Sequence, residues 1–275
     1  MAKRLINRHP SRAGLIYFGL LPFLVLVLLY ATGSTIRLAA NPNDKLLPGF
    51  TSLVDAFVRL ALAPDRRTGE ILLWVDTAAS LSRLGLGLAV STALALVVGV
   101  ANGLLPYVRA GLSPLVAVIS MIPPMAILPI LFIVFGLDEL SKVVLIVIGV
   151  APFLIRDLQA RVEEMPREQL IKAQTLGASS WQIVLRVVLP QMLPRLIDSV
   201  RLSLGPAWLF LISAEAIAAE VGLGYRIFLM RRYLAMDVIL PYVAWITLLA
   251  ICSDYVLRLL TRKTFPWLDA GRGAP

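Results

Sequence analysis

Three uncharged stretches of hydrocarbon length constrain this chain more than any other feature. Residues 13–36, 84–108 and 110–137 contain no Asp, Glu, Lys or Arg. As a helix the first alone would measure about 36 Å, against a bilayer core of about 30 Å. That length exceeds the apolar core of an ordinary signal peptide, so the run predicts a retained transmembrane helix. Hydrophobic residues make up 59% of the 275 and charged residues 16%, with mean hydropathy +0.83. Soluble domains carry about a quarter charged residues, so that class is excluded. The net charge of +9 comes from basic residues beside apolar runs. Lys and Arg so placed set membrane orientation, and no nucleic acid partner is expected.

Three shorter uncharged runs, 143–155, 202–214 and 238–253, reach crossing length by taking in a terminal charge such as Lys142, Glu215 or Asp254. A terminal Lys can snorkel, and an acid can face another helix or a watered cavity. The expectation is an all-α integral membrane protein of about six transmembrane helices. Residues 1–12 form a tail with Lys3, Arg4, Arg8 and Arg12 and no acid, which predicts a cytoplasmic N-terminus. Six crossings return the C-terminal tail, 263–275, to the same side and put the segment from Arg156 to Arg195 there too. One loop opposes this: Arg226, Arg231 and Arg232 would lie outside, and a shallow interfacial helix would have to hold them.

The first helix, 13–36, is followed by an external loop, 37–74. Within it NPNDKLLPG is turn chemistry, and FTSLVDAFVRLAL repeats apolar residues at helical spacing, predicting a helix on the membrane surface. In the third span, SMIPPMAILPIL places Pro123, Pro124 and Pro129 where each removes a backbone donor, so this helix should kink or unwind near its middle. Broken helices in lipid face protein or a watered cavity, leaving packing and pathway lining both open for Pro123 and Pro124.

The segment 163–190 departs from the apolar pattern. Glu163 and Glu164 precede Pro166, which suits a helix start. Leu170, Ala173, Gln174 and Gly177 recur at helical spacing on a small-residue face. Gly177 should end this helix. Ser179 or Ser180 should cap a second one, beginning near Trp181 and broken by Pro190 before the fifth span. The product would be a helix-turn-helix with a smooth knob, fit either for a protein docking closely on its backbone or for a solvated connection.

AQTLGASSWQIVLRVVLP resembles the cytoplasmic signature of inner-membrane permease subunits of binding-protein-dependent ABC importers. Ala173, Gly177, Leu189 and Pro190 match, whereas Ile171 and Lys172 stand where the family has Glu and Ala. ISMIPPMAILPILFIVFGLDELSK and RLSLGPAWLFLISAEAIAAEVGLGYRI are similar to the nitrate, aliphatic sulfonate and taurine branch. The first span and NPNDKLLPG resemble members linked with urea or guanidine-type uptake. The resemblance implies a type I importer fold with a permease core at 75–262 and two copies side by side as a homodimer. It also implies a cytoplasmic ABC ATPase subunit docked on Ala173, Gly177, Ala178, Leu189 and Pro190, an external solute-binding protein, and a bacterial inner-membrane location. Specificity would then reside largely in the binding protein.

The chain has no G-x-x-x-x-G-K-[ST], so ATP hydrolysis would belong to a partner, and neither enzyme activity nor a cofactor is expected here. His9 is the one histidine and stands apart from any Cys, Asp or Glu cluster, which argues against a metal site. Cys252, alone, makes no internal disulfide. Met121, Met125, Trp208 and Phe210 are candidates either for the solute path or for helix packing. Arg83 and Arg201 fall beside expected span boundaries, where interfacial and functional placements compete. Glu215 lies deeper, as solute contact or ion pair, and Asp254 shares that ambiguity. Either acid could serve an ion-coupled secondary transporter, the alternative class, but no internal repeat is visible.

Overall fold

The computed structural model describes residues 11–42, 44–65 and 68–267, all of it helix and connections. Lys3, Arg4, Arg8, His9 and the tail beyond residue 267 lie outside the described residues. Helix α1 (Arg12–Ala40) is capped by Ser11, whose Oγ accepts the Gly14 N–H at 3.2 Å. Its long apolar stretch is exposed on the chain, as expected of a helix facing lipid or another subunit. The connection after it is tied back by Tyr30 Oη donating to Pro48 O (2.6 Å) and Ser34 Oγ to Leu47 O (3.0 Å). Here the Leu46 N–H and the Arg37 guanidinium hold the Asp44 carboxyl below its ordinary range. Helix α2 (Phe50–Leu62) follows, burying Ala56 and Ala61 on one face, as the helical spacing predicts.

The bundle begins with α3 (Leu72–Leu94), which continues through a π turn at Ala95–Gly99 into α4 (Val100–Leu104), 33 residues in all. This span starts twelve residues before the uncharged run at 84–108. Asp76 and Arg83 are therefore inside the helix, where distant partners neutralise them. Helices α5 (Pro106–Met121) and α6 (Pro124–Phe135) form the proline-rich span, bent by 97° at the Pro123–Pro124 break. Helix α7 (Glu139–Glu163) is the centre of the bundle, packed on α3, α4, α5, α6 and α10. Gly87, Gly99 and Gly103 make that packing possible. A Cβ on Gly103 would lie 2.4 Å from Val162 Cβ, and one on Gly87 2.7 Å from Ile146 Cγ2. Without lipid-excluding hydrophobic force between helices, such small residues let backbones approach and dispersion contacts form.

Glu163 and Glu164 close α7 instead of opening the next helix, since the Glu164 N–H bonds Ala160 O at 3.0 Å. Helix α8 (Arg167–Thr175) takes Pro166 as its N-cap and Glu168 as its first-turn acid. After the turn, α9 (Ser180–Ile183), a π turn at Val184–Val188 and α10 (Leu189–Ala218) run as one 39-residue helix. The expected break at Pro190 does not occur. The Leu189 N–H bonds Val184 O, five residues back, and this wider turn accommodates the proline ring without ending the helix. Short α11 (Leu223–Arg231) and long α12 (Met236–Thr264) complete the chain. Among the described residues five helices are long and apolar enough to cross a membrane, and there are six if the bent α5–α6 pair is one span.

Candidate functional site

Three places carry polar chemistry: the turn after α8, a cleft beside α7, and an ionic cluster at the opposite end of the bundle. The turn is a Schellman closure. Gly177 sits at φ +79°, its N–H bonds Gln174 O at 2.9 Å, and the Ala178 N–H reaches Ala173 O at 3.0 Å. Ser179 then caps α9 with a capping box, its Oγ accepting the Gln182 N–H while the Gln182 side chain accepts the Ser179 N–H. Both helix ends are thus closed within the turn. Helix α8 buries no residue, and Ile171, Leu176 and Trp181 are exposed, Leu176 to 87%. A Cβ at Gly177 would meet nothing within 4 Å, so the knob is open to an approaching surface. Sequence reasoning found the glycine turn; it missed Leu176 as the apolar tip, although its place directly before the glycine was the available signal. Leu189 and Pro190 lie two turns into the following helix, away from the tip.

The cleft has a volume of about 520 Å³ and lies where the α5–α6 break meets α7 and α10. Ile122, Pro124, Phe153 and Phe210 wall it, and Ser120, Arg156 and Asp157 supply its polar side. The Arg156 Nη1 donates to Ser120 Oγ at 2.9 Å, while Ser120 Oγ donates to Ala117 O at 2.7 Å. Asp157 accepts from Arg161 Nε at 2.8 Å and from the Ser199 hydroxyl. Gly149 keeps the cleft open, because a Cβ there would strike Phe210 Cε2 at 2.3 Å. Of the residues expected along a path, Pro124 and Phe210 line this cleft, and Met121 and Pro123 are exposed at the break beside it. Trp208 (4% exposed) and Glu215 (fully buried) do not open onto it, being packed inside the bundle. The segment from Arg156 to Arg195 is expected on the cytoplasmic side, and the structure places Arg156 within α7, which continues to Glu163. The spacing of Arg156 from Gly149, Pro152 and Phe153, seven, four and three residues along one helical face, was the overlooked sign.

The ionic cluster joins α3, α7, α10, α11 and α12. Arg83 Nη1 donates to Glu215 Oε1 (2.6 Å) and to Val221 O (2.9 Å), and Nη2 to Glu139 Oε1 (2.7 Å), which Lys142 Nζ also reaches at 3.1 Å. The first amides of α11 point into the same place. Gly222, Leu223 and Gly224 donate to Asp76 Oδ1, Ser80 Oγ and Glu215 Oε2, each at 2.9 Å. A helix start leaves such donors unpaired and favours negative charge, so acids on α3 and α10 pin α11 there. Asp76 Oδ2 also accepts from Arg226 Nε (2.8 Å) and Tyr242 Oη (3.0 Å). Burial lowers the Arg226 pKa, yet the hydrogen bond to Asp76 and the Asp76 charge, with smaller contributions from Tyr242 and Tyr225, together outweigh it and the value rises. This pair accounts for Arg226, while Arg231 and Arg232 of the same loop are exposed. Arg83 itself is 3% exposed and sits among carboxylates. Arg201 is partly exposed, pairing with Asp254 (2.8 Å) and Asp198 (3.0 Å), so Asp254 is also held by a guanidinium. Among the described residues no group of three His, Cys, Asp or Glu could hold a metal ion.

Helices of this length, a broken proline span and a capped surface turn are what a transport subunit requires, and similarity to known proteins decides its kind. The family model described as "binding-protein-dependent transport system inner membrane component" matches residues 85–266. The chain belongs to this family. The permease is 36% identical over 208 residues to TauC, the taurine transport system permease protein of Escherichia coli K12, covering 76% of each chain. It is 29% identical over 195 residues to SsuC, a putative aliphatic sulfonates transport permease protein of Bacillus subtilis, covering 70% of each. With CmpB, the bicarbonate transport system permease protein of Synechococcus elongatus, it shares 30% over 183 residues, 61% of this chain and 66% of that one. A chain of the MetNI methionine ABC transporter superposes with TM-score 0.57 at 20% identity, covering 70% of the permease and 93% of that chain, which shows the shared fold. The protein is therefore the permease subunit of an ABC importer, a multi-pass inner-membrane component.

Proposed function

We propose that two copies of this permease form the path for a small anionic solute and that a separate cytoplasmic ATPase docks on the α8 turn to drive it. In this reading both termini and the turn face the cytoplasm, and the ionic cluster and α2 face an external binding protein that delivers the solute. The permease core is residues 75–262, within which 163–190 is the coupling segment, with Ala173, Gly177 and Ala178 at the contact. The solute class follows the relatives, whose names specify taurine, aliphatic sulfonates and bicarbonate. Met121, Pro123 and Pro124 stand at the mouth of the path, and the buried Trp208 and Glu215 support its walls from behind.

The observation that carries the reading is the turn: a rigid, internally hydrogen-bonded knob with exposed Leu176 beside Gly177. A contiguous exposed apolar feature on an otherwise polar element marks a protein contact, and a rigid one transmits rigid-body rotation without repacking. Replacing Gly177 with Trp tests it. The variant should insert in the membrane at wild-type level but lose the ATPase on co-purification; retained ATPase would end the docking reading. An ion-coupled carrier using Glu215 or Asp254 has no support here, because guanidinium groups hold both acids.

A further inference from the structure

We propose that Arg156, oriented by Ser120, is a transit station for an oxyanion inside the permease. The inference rests on the importer reading and assigns the chemistry of its path. Four observations point to it. First, Arg156 belongs to the span Glu139–Glu163, seven residues before its end, so its Cα lies about 10 Å inside the helix terminus, with the side chain exposed. Second, among the described residues no carboxylate lies within 4.0 Å of it; its neighbour Asp157 is engaged by Arg161 and Ser199. Every buried cation of the ionic cluster, by contrast, has an acid in contact. A charged side chain within a span needs a partner or a watered cavity, and an unmatched one marks an ion or substrate path. Third, it opens into a cleft of about 520 Å³ whose other walls are apolar apart from Ser120 and Asp157, and Asp157 is already engaged by Arg161 and Ser199. Fourth, the hydrogen bonds set the geometry. Ser120 gives its proton to Ala117 O and accepts from Nη1, so it fixes the guanidinium plane and has no proton to offer a solute. The Nε and Nη2 groups remain, the pair that binds two oxygens of a sulfonate or bicarbonate in a fork.

Arg156 is thus the binding group and Ser120 a positioning residue. A cation would be repelled at this station, and a neutral amide such as urea would gain nothing from the charge. The site need not be strong: a path must hold its solute long enough to exclude water and the wrong charge, and weakly enough to let it leave.

The test uses the whole importer in proteoliposomes, following ATP-driven uptake of labelled taurine, bicarbonate and urea, with ATPase co-purification measured for every variant. The wild type should move one of the two oxyanions. Arg156→Gln should lower that uptake by about 10-fold or more, while Arg156→Lys, which keeps the charge but loses the fork, should recover only part of it. Ser120→Ala should lower the maximal rate about 3-fold or more, with Ser120→Thr restoring it. Undiminished uptake by Arg156→Gln, or a wild type that moves urea and neither oxyanion, overturns the station. Should Arg156→Gln fail to assemble, an assembled Arg156→Lys that retains the ATPase decides, supporting the proposal if oxyanion uptake falls and ending it if uptake is undiminished. A wild type that never retains an ATPase overturns the importer mechanism instead, which separates the two failures.

Discussion

Arg83 and Glu215 stand 132 positions apart in the chain and meet at 2.6 Å, Nη1 to Oε1, with neither more than 3% exposed. Breaking a buried pair by removing one partner leaves the other charge uncompensated, at a cost of about 3–5 kcal/mol. Arg83→Met should therefore lower the thermal midpoint of the detergent-solubilised permease sharply. Glu215→Met added to it should cost far less than its own single change, and strictly additive midpoints would show that the two do not interact.

Of the four described glycines at positive φ, Gly222 and Gly177 should respond to substitution very differently in size. At Gly222 (φ +137°) a Cβ would lie 2.6 Å from Glu215 Cδ and 2.8 Å from Arg83 Nη1, so Gly222→Ala should disrupt the cluster and reduce the folded yield. At Gly177 nothing is within 4 Å, and Gly177→Ala should cost only the backbone strain, about 1–2 kcal/mol. Thermal unfolding of both variants in one detergent checks the ranking.

Ile171 occupies the place where the family signature has an acid, and it is exposed together with Leu176 and Trp181. Docking through apolar contacts is screened little by salt. ATPase retention should thus persist from about 0.05 to 0.5 M salt, while Leu176→Ser should abolish it without changing the permease's own midpoint. Release of the ATPase by salt alone would point to an ionic interface.

The orientation is testable with unusual economy because Cys252 is the one cysteine of the sequence. In a Cys252→Ser background, Thr175→Cys should react with an impermeant maleimide only after the cytoplasmic side is opened, and Asp65→Cys from the outside. Reversed labelling would invert the topology.

Helix packing gives a fourth magnitude. Gly103→Val would force a side chain into Val162 and separate α4 from α7, costing about 1–3 kcal/mol as overpacking. Gly85→Val, with open space at its Cβ, should be close to neutral in the same unfolding measurement.

What could be read from residue order was whatever depends on local chemistry. Apolar run length announced the spans, Pro123–Pro124 announced the bend, and Gly177 with Ser179 announced the turn. Misreadings arose where distant residues overrule local ones. Asp76 and Arg83 appeared to delay the second span, yet Arg226, Tyr242, Glu139 and Glu215 neutralise them and the helix begins at Leu72. Pro190 carried a local breaker signal that one wider turn absorbed. Arg156 gave no local hint of its lack of an acid, since that property belongs to the packed bundle and not to its neighbours in sequence.

The ionic cluster brings together three acids, Asp76, Glu139 and Glu215, and three bases, Arg83, Lys142 and Arg226. Their formal charges cancel. Shifting one unpaired elementary charge through the full membrane voltage would involve about 2.3 kcal/mol per 100 mV. A cancelled set travels with its helices and does no such electrical work. Those six side chains can tilt equally well in an energised and a discharged cell.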